Sequence, residues 1–275
     1  MNEIIFLLVL GLIWIIFATV QDSKKREIAN WLNFSLIIFA LGFRFFYSLF
    51  SSDFLFFYEG LIGFGIFFIL GNLLYYGKMF AGGDAKLFYA LGAILPISTD
   101  FMRNLNYFGS FLIIFFVIAF IYSLGGSMIY GIKNFKNFKK EFSKLVHKNK
   151  KIIYFSLFFG LILMVLGSLV TVLFLIGIFL FIFPYFYFYA KAVDEASMIK
   201  KVNTKNLMEG DWLYKNVKIG RKTINATWDG LTKSDIRLLK KHKKLVYIRQ
   251  GIPFTPVFLV SFILWAAHSL GYSFW

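Results

Sequence analysis

Long apolar runs separated by lysine-rich segments restrict the fold of this chain more than any other feature. A helix needs about 20 predominantly apolar residues to cross a bilayer, and several runs reach that length. Charged residues make up only 16% of the 275 residues, whereas a soluble domain averages about 25%. The fold class predicted from this pattern is an all-α polytopic membrane protein.

About eight transmembrane helices are predicted, within a range of six to eight. They cover about 4–21, 31–50, 55–76, 85–98, 107–131, 151–168, 171–190 and 253–272. The predicted domains are a membrane domain, a basic cytoplasmic loop, a helical hairpin in the membrane, a small cytoplasmic α+β insertion and a C-terminal helix. In the same order they occupy 1–131, 132–150, 151–190, 191–252 and 253–275.

The positions of lysine and arginine orient these spans. With eight spans, 28 of the 30 basic residues fall on one side, and only Arg44 and Arg103 fall elsewhere. Basic loops stay in the cytoplasm, so both termini are predicted to lie outside. The net charge of +16 is then an orientation signal that also attracts anionic headgroups of the bilayer, and nucleic acid is not expected as a partner. Arg44 is expected to snorkel to the outer interface.

The segment 191–252 is the only loop long enough for a small domain. Residues 191–207 are predicted to extend the seventh span as a helix. The alternating pattern around Lys218-Ile219-Gly220-Arg221 predicts a short hairpin. Thr232 and Asp235 have the spacing of a capping box ahead of a basic helix to about Lys244.

The sequence offers little to bind a metal. It contains no cysteine, which excludes disulfides, thiolate zinc sites and a cysteine nucleophile. The three histidines, His147, His242 and His268, are far apart in the sequence. No metal and no cofactor are therefore predicted.

Asp22 and Asp84 are the residues that point to chemistry. Each lies at the edge of an apolar run, where a carboxylate is costly and is a functional candidate by default. Two predicted spans separate them, so both face the cytoplasmic side. Two close carboxylates share a proton near neutral pH, because their repulsion raises one pKa. One can then activate water while the other protonates a scissile carbonyl.

Other interpretations stay open on this evidence. The two aspartates can be helix-end acids, with Asp84 at the favourable N-terminal end of a helix and Asp22 paired with a neighbouring Lys or Arg. They can also be proton or cation sites of a transporter or channel, although the sequence has no inverted repeat. A third class is a structural assembly partner.

The segments around both aspartates resemble the motifs of one family. The segment Ala81-Gly82-Gly83-Asp84 looks like the GxGD motif of type IV prepilin peptidases and the related preflagellin peptidases. Asp22, followed by a basic stretch and Ile28-Ala29-Asn30, is similar to their first aspartate motif, which ends in Ile-Pro-Asn. Ala81 replaces the first glycine of GxGD, and Ala29 replaces the proline. Without the cysteines of the bacterial zinc domain, the chain resembles the shorter archaeal enzymes.

This resemblance implies a membrane aspartyl endopeptidase, a hydrolase with Asp22 and Asp84 as its catalytic pair. It implies cleavage of the basic leader of a pilin- or archaellin-like precursor at the cytoplasmic face. Other residues are predicted to support the motifs or bind substrate: Gly82, Gly83, Asn30, Lys86, Glu209 and Asp211. The glycines allow close backbone approach, and Asn30 is also a candidate N-cap of the second span.

Two further groups of residues are assigned from the pattern. Glu209 and Asp211 are candidates to receive a basic leader, or else form a solvated acidic turn. Four glycines of the third span are predicted to allow close helix packing, namely Gly60, Gly63, Gly65 and Gly71.

Overall fold

Ten α-helices and five short strands, with a π-helix at Asp194–Met198 and a 3-10 turn at Thr204–Asn206, form the regular structure of the described part of the chain. The computed structural model describes residues 2–167, 170–220, 222–228 and 230–271. The helices are α1 (Asn2–Lys25), α2 (Asn30–Ser51), α3 (Leu55–Tyr76), α4 (Gly82–Gly92), α5 (Phe101–Lys133), α6 (Phe135–Lys148), α7 (Lys150–Leu166), α8 (Thr171–Val193), α9 (Lys233–His242) and α10 (Thr255–Ser269). The strands are β1 (Ile199–Asn203), β2 (Trp212–Leu213), β3 (Val217–Ile219), β4 (Lys222–Ile224) and β5 (Leu245–Arg249).

Five helices are long and apolar enough to cross a membrane, or six if the bent pair α6 and α7 is counted as one span. The five are α1, α2, α3, α5 and α8 with its continuation to Met198. Each of the eight predicted spans overlaps a helix, but α4, α7 and α10 have only 11, 17 and 15 residues. The prediction of a helical polytopic membrane protein is confirmed, and the number of spans stays a prediction.

The chain divides into two compact units, Met1–Ser123 with Ile252–Trp275, and Leu124–Gly251. In the first unit the short helix α4 is surrounded by aromatic rings. Phe88 of α4 lies 4.8 Å from the ring of Phe67 and 5.6 Å from that of Phe115, measured between centroids. Phe80 and Phe258 complete this cluster. Burial of these large rings stabilises a helix that is too short to be stable by itself.

Arg44 lies inside the first unit, so the expectation that it snorkels to the outer interface is wrong. Its side chain is fully buried and donates hydrogen bonds to the carbonyls of Phe56, Ala93, Ile94 and Pro96. The last carbonyls of a helix have no partner within the helix, and water is not available to them in a bilayer. Arg44 therefore supplies donors for the chain just beyond the C-terminal end of α4.

The second unit contains a helical hairpin and a small α+β region. Helices α7 and α8 approach closely at two glycines, since a Cβ on Gly160 would lie 3.0 Å from the carbonyl oxygen of Gly177. The basic loop predicted before α7 is the helix α6, which is bent by 73° from α7. The turn expected near Gly167 and Ser168 extends beyond the described residues.

The α+β region confirms part of the sequence prediction and corrects part of it. Strands β3 and β4 pair as the predicted hairpin, with Arg221 outside the described residues. The capping box is also confirmed at the start of α9. The Thr232 N–H donates to the Asp235 carboxylate, and the Asp235 N–H donates to the Thr232 hydroxyl. The predicted helix over 191–207 is confirmed as far as Met198 and is wrong beyond it. The strand β1 follows, because it pairs along its whole length with β5, in a sheet of order β1-β5-β2, and a single 3-10 turn, Thr204–Asn206, comes after it.

Candidate active site

Asp22 lies in the last turns of α1 and caps the start of another helix. It is 7% exposed, and its Oδ2 atom accepts hydrogen bonds from the backbone N–H groups of Phe254 and Thr255 at 3.0 and 3.2 Å. The Thr255 hydroxyl donates a third bond to the same oxygen at 2.9 Å. The N–H groups at the start of α10 have no partner within their own helix, so a buried carboxylate from α1 satisfies them.

Asp84 lies in the first turn of α4 and precedes the apolar segment 85–98. Its Oδ2 accepts a hydrogen bond from the N–H of Ala81 at 3.3 Å. The first turn of a helix is the place where an acidic side chain is most favourable. Burial, and second to it the negative charge of Asp22, raise the pKa of Asp84 to about 7, against the opposing effect of the Ala81 N–H. The two carboxyl groups are thus close enough to interact electrostatically.

The glycines before Asp84 differ in how tightly they are packed. A Cβ on Gly83 would lie 3.2 Å from Cβ of Ile28, in the loop that follows the Asp22 helix. A Cβ on Gly82 would meet only Tyr75, at an ordinary 3.8 Å. The close approach of Ile28 therefore explains why residue 83 is a glycine. No comparable contact explains the glycine at position 82.

The two departures from the family motifs, Ala29 and Ala81, occupy equivalent positions. Each is the N-cap of a helix, with φ of −64° and −74° respectively. These values are open to any L-residue, and −64° is close to the angle that proline imposes. Alanine at either position is therefore compatible with the backbone angles at these two N-caps. The Ala29 N–H also donates to Gln21 at 3.0 Å, a bond that proline would lose.

Asn30 and Lys86 contact each other across the two motifs. The Nζ atom of Lys86 donates to Oδ1 of Asn30 at 2.6 Å. Asn30 is the first residue of α2, and its neighbour Ala29 rather than Asn30 takes the N-cap position. The pair links the segment after Asp22 to the segment after Asp84, and its assignment as motif support stays a prediction.

Glu209 and Asp211 lie in the second unit and have local partners. Glu209 forms an exposed ion pair with Lys233 at 3.5 Å. Oδ2 of Asp211 accepts the Met208 N–H at 2.8 Å. Burial raises the pKa of Asp211, and the bond from Met208 opposes that effect. Their role in receiving a leader stays a prediction.

Sequence reasoning missed two residues that touch the motifs. Thr255 bonds to Asp22 across 233 positions of sequence. Asn33 is fully buried and donates to the carbonyl of Gly83 at 3.2 Å, while its own Oδ1 has no hydrogen-bond partner among the described residues. Nothing in the local sequence distinguishes Thr255, and only its contact with Asp22 identifies it. Asn33 is one helix turn after Asn30, and only the packing of α2 on α4 identifies it.

Metal ligands do not gather anywhere in the described part of the chain. No group of three or more histidine, cysteine, aspartate or glutamate side chains is arranged to hold an ion in those ranges.

Comparison with known proteins gives one consistent family. The model of the type IV leader peptidase family matches residues 9–128, which include both aspartates. A protein named preflagellin peptidase from Methanocaldococcus jannaschii is 32% identical over 133 residues, covering 46% of this chain and 56% of that protein. A preflagellin peptidase from Methanococcus maripaludis is 30% identical over 177 residues, covering 54% of this chain and 76% of that protein.

A third preflagellin peptidase, from Methanococcus voltae, is 30% identical over 87 residues, covering 32% of this chain and 37% of that protein. The chain thus spans little more than half of the first relative and about three quarters of the second. No solved structure matches the chain. The family match and the extent of the second alignment together show that the chain belongs to the type IV leader peptidase family.

Proposed function

We propose that this protein is a membrane aspartyl endopeptidase that removes the basic leader from a pilin- or archaellin-like precursor. The observation that carries the proposal is that the segments of the two motif aspartates pack together: Asn33 of α2 donates to the carbonyl of Gly83, beside Asp84, and Lys86 donates to Asn30, in the motif that begins at Asp22. The relatives are named preflagellin peptidase, which supports a precursor of this type as the substrate.

The chemistry needs one ionised and one protonated carboxyl group. The ionised group takes a proton from water as the water oxygen attacks the scissile carbonyl carbon, and the protonated group gives its proton to the carbonyl oxygen. In the second step the proton taken from water passes to the amide nitrogen. The C–N bond breaks, and the other carboxylate recovers a proton from the diol. The pair returns to its starting state with no cofactor.

The raised pKa of Asp84 supports this scheme. With a pKa of about 7, Asp84 is protonated in a large fraction of the protein molecules at neutral pH. A carboxylic acid that is protonated at the working pH can act as a general acid. A pair of ordinary surface carboxylates would both be ionised and could not donate.

We place the reaction at the cytoplasmic face because of the distribution of charge in the sequence. The basic residues cluster on the side of both aspartates when eight spans are counted, and basic loops remain in the cytoplasm. A basic leader would meet repulsion from this face, so acidic residues have to compensate. Glu209 and Asp211 are our candidates for that role, and anionic headgroups of the bilayer are a second source of negative charge.

A cleavage assay on purified protein tests the proposal. The substrate is a synthetic precursor with a lysine-bearing leader and an apolar helix, presented in detergent. Asp22→Asn and Asp84→Asn should each abolish cleavage while the protein still folds, because an amide can neither activate water nor donate a carboxyl proton. Asn keeps the shape and can still accept the hydrogen bonds from Thr255 and Ala81.

Asp53→Asn and Asp100→Asn are matched controls. Each aspartate accepts a hydrogen bond at 2.9 Å from the backbone N–H of the residue two positions later, Leu55 and Met102 respectively. The side-chain oxygen of Asn can accept the same bond. Cleavage should be close to normal in these two variants. Normal cleavage by Asp22→Asn or Asp84→Asn would exclude the aspartyl mechanism. A transporter with proton sites would show no cleavage in the unmodified protein either.

A further inference from the structure

The three hydrogen bonds on Asp22 are directed at a single oxygen. Two come from backbone N–H groups and one from the Thr255 hydroxyl, with lengths between 2.9 and 3.2 Å. Thr255 is fully buried and Asp22 nearly so, so water does not compete strongly for these donors. Asp84, by contrast, accepts the Ala81 N–H at the longer distance of 3.3 Å.

These donors favour the negatively charged form of Asp22. Hydrogen bonds to a carboxylate are stronger than those to a neutral carboxyl group, and several on one group stabilise its ionised state. The start of α10 adds the favourable field of a helix N-terminus. A proton on this oxygen would face the two backbone N–H groups, which are fixed by the helix start and can only donate.

We propose that Thr255 is a positioning residue that fixes Asp22 as the ionised member of the aspartate pair. Asp22 is then the base that activates water, and Asp84 is the acid that protonates the scissile carbonyl. The inference rests on the proposed function and adds an assignment of roles within it. The raised pKa of Asp84 agrees with this assignment of roles, since the carboxyl group that accepts fewer hydrogen bonds is the one that keeps the proton.

The charged surroundings of Asp22 are the same in every variant of Thr255. Helix α10 has one titratable side chain, His268, close to its other end, and α2 has Arg44, which is occupied by carbonyls. The groups that share the site or its flanks are Asp84 on α4, Lys86 on α4, and Lys24, Lys25 and Arg26 after Asp22 in the sequence. None is altered by the substitutions below, so a change in pH dependence reports on the hydroxyl.

Thr255→Val and Thr255→Ser form the central comparison. Valine keeps the shape and the backbone N–H but removes the hydroxyl, whereas serine keeps the hydroxyl. In Thr255→Val the acid limb of the kcat/KM profile should move to higher pH by roughly one unit, as expected for the loss of one hydrogen bond to a charged group. Below that limb kcat/KM falls about tenfold, and above it the change is small. Thr255→Ser should restore the original profile.

Thr19→Val is the matched control. Thr19 lies on α1 one turn before Asp22, and its hydroxyl donates to Ile15 within the same helix at 2.8 Å. The substitution removes a hydroxyl near the site without touching Asp22. Its pH profile should match that of the unmodified protein.

Three outcomes would overturn the assignment. In the first, Thr255→Val folds and keeps the original profile. In the second, its alkaline limb moves instead, which means that Asp22 holds the proton. In the third, Thr255→Ser is as impaired as Thr255→Val, so that the contact is only packing. If Asp22→Asn and Asp84→Asn also cleave normally, the proposed function fails; if both are inactive, only this inference does.

An infrared measurement tests the same point if Thr255→Val does not fold. At pH 6 the protonated carboxyl band of the pair should vanish in Asp84→Asn and persist in Asp22→Asn. The assignment is contradicted if the band vanishes in Asp22→Asn and persists in Asp84→Asn. Neither spectrum depends on cleavage.

Discussion

At the scale of single residues, burial decides what the carboxyl group of Asp84 can do. Its pKa is raised to about 7 by burial and then by the charge of Asp22, whereas an unfolded chain leaves it near its ordinary value. The folded protein therefore binds more protons than the unfolded chain between those two values. The contribution of Asp84 to stability is present at low pH and is lost as the pH rises through about 7.

Asp84→Asn should consequently become more stable relative to the unmodified protein as the pH rises from 5 to 8. Asparagine is neutral throughout, so the cost of a buried charge above pH 7 is removed. Asp84 is partly exposed, which reduces the effect, and we expect a relative gain of roughly 2–4 °C in Tm, or about 1 kcal/mol. Thermal unfolding in detergent at several pH values measures it.

Asp100→Asn is the control for this pH dependence. Its carboxyl group is exposed and faces Arg103 at 3.8 Å. The difference in Tm between this variant and the unmodified protein should stay constant over the same pH range. If the difference in Tm between Asp84→Asn and the unmodified protein is also constant over this pH range, the pKa of Asp84 is not raised in the folded protein.

The sequence identified the two aspartates but not the residues that control them. Asp22 and Asp84 stand out because a carboxylate beside an apolar run is costly, a property of the residue and its neighbours. Thr255 and Asn33 are ordinary in their local sequence, and Arg44 stands out only as a charge within an apolar run. Their significance comes from contacts across 50 or more positions, and spacing in one chain does not predict which helices pack together.

At the scale of elements, α4 shows why the length of an apolar run does not fix the length of a helix. The run 85–98 is apolar except for Lys86 and the terminal Ser98, but the helix ends at Gly92. The turn after it is stabilised by Arg44, which bonds to carbonyls beyond the helix end. Hydrophobicity predicts burial of the segment. Its non-helical end contains Pro96, which cannot continue a helix, and a donor from another helix satisfies the carbonyls there.

Helix α4 is also held against α3 by direct contact of their backbones. A Cβ on Gly63 of α3 would clash with the carbonyl oxygen of Gly92 and with the ring of Pro96. Gly60 and Gly71 are likewise crowded, by Arg44 and Tyr89, so the predicted close packing is confirmed at these three glycines. It is wrong for Gly65, where a Cβ would meet nothing within 4 Å.

Gly63→Ala should therefore destabilise the protein and reduce cleavage, because α4 carries Asp84 and would be pushed away from α3. Overpacking of this kind costs roughly 1–3 kcal/mol, which lowers Tm by about 2–10 °C. Gly65→Ala, two residues along the same helix, should leave Tm and cleavage unchanged or slightly improved. Equal behaviour of the two variants in thermal unfolding and in the cleavage assay would refute the close contact.

At the scale of the whole molecule, the open question is whether residues 85–98 cross the membrane. Residues 85–95 are helix and turn and rise by about 16 Å at 1.5 Å per residue. Residues 96–98 add about 10 Å if extended. The total, roughly 26 Å, approaches the ~30 Å of a bilayer core. Arg44 satisfies carbonyls in the non-helical part, which is the condition for irregular backbone at membrane depth.

Whether this segment crosses decides the side on which the basic part of the chain lies. If it crosses, three crossings separate Ser52 from Ser143, through α3, this segment and α5, and the two serines lie on opposite sides. If it does not, they lie on the same side. The positive-inside rule favours the first case, because the lysines of α6 and of 191–252 would otherwise lie outside.

Single cysteines at these positions measure the outcome, since the chain has no cysteine of its own. Ser52, Ser143 and Ser234 are exposed, so Ser→Cys changes little else. In intact cells an impermeant thiol reagent should label Ser52→Cys, and it should label Ser143→Cys and Ser234→Cys only after permeabilisation. Labelling of Ser52→Cys and Ser143→Cys together in intact cells would mean that 85–98 enters the membrane and returns. The eight-span count would then have to be abandoned. Both aspartates would still lie on the cytoplasmic side, because α2 separates Asp22, and α3 separates Asp84, from the labelled Ser52.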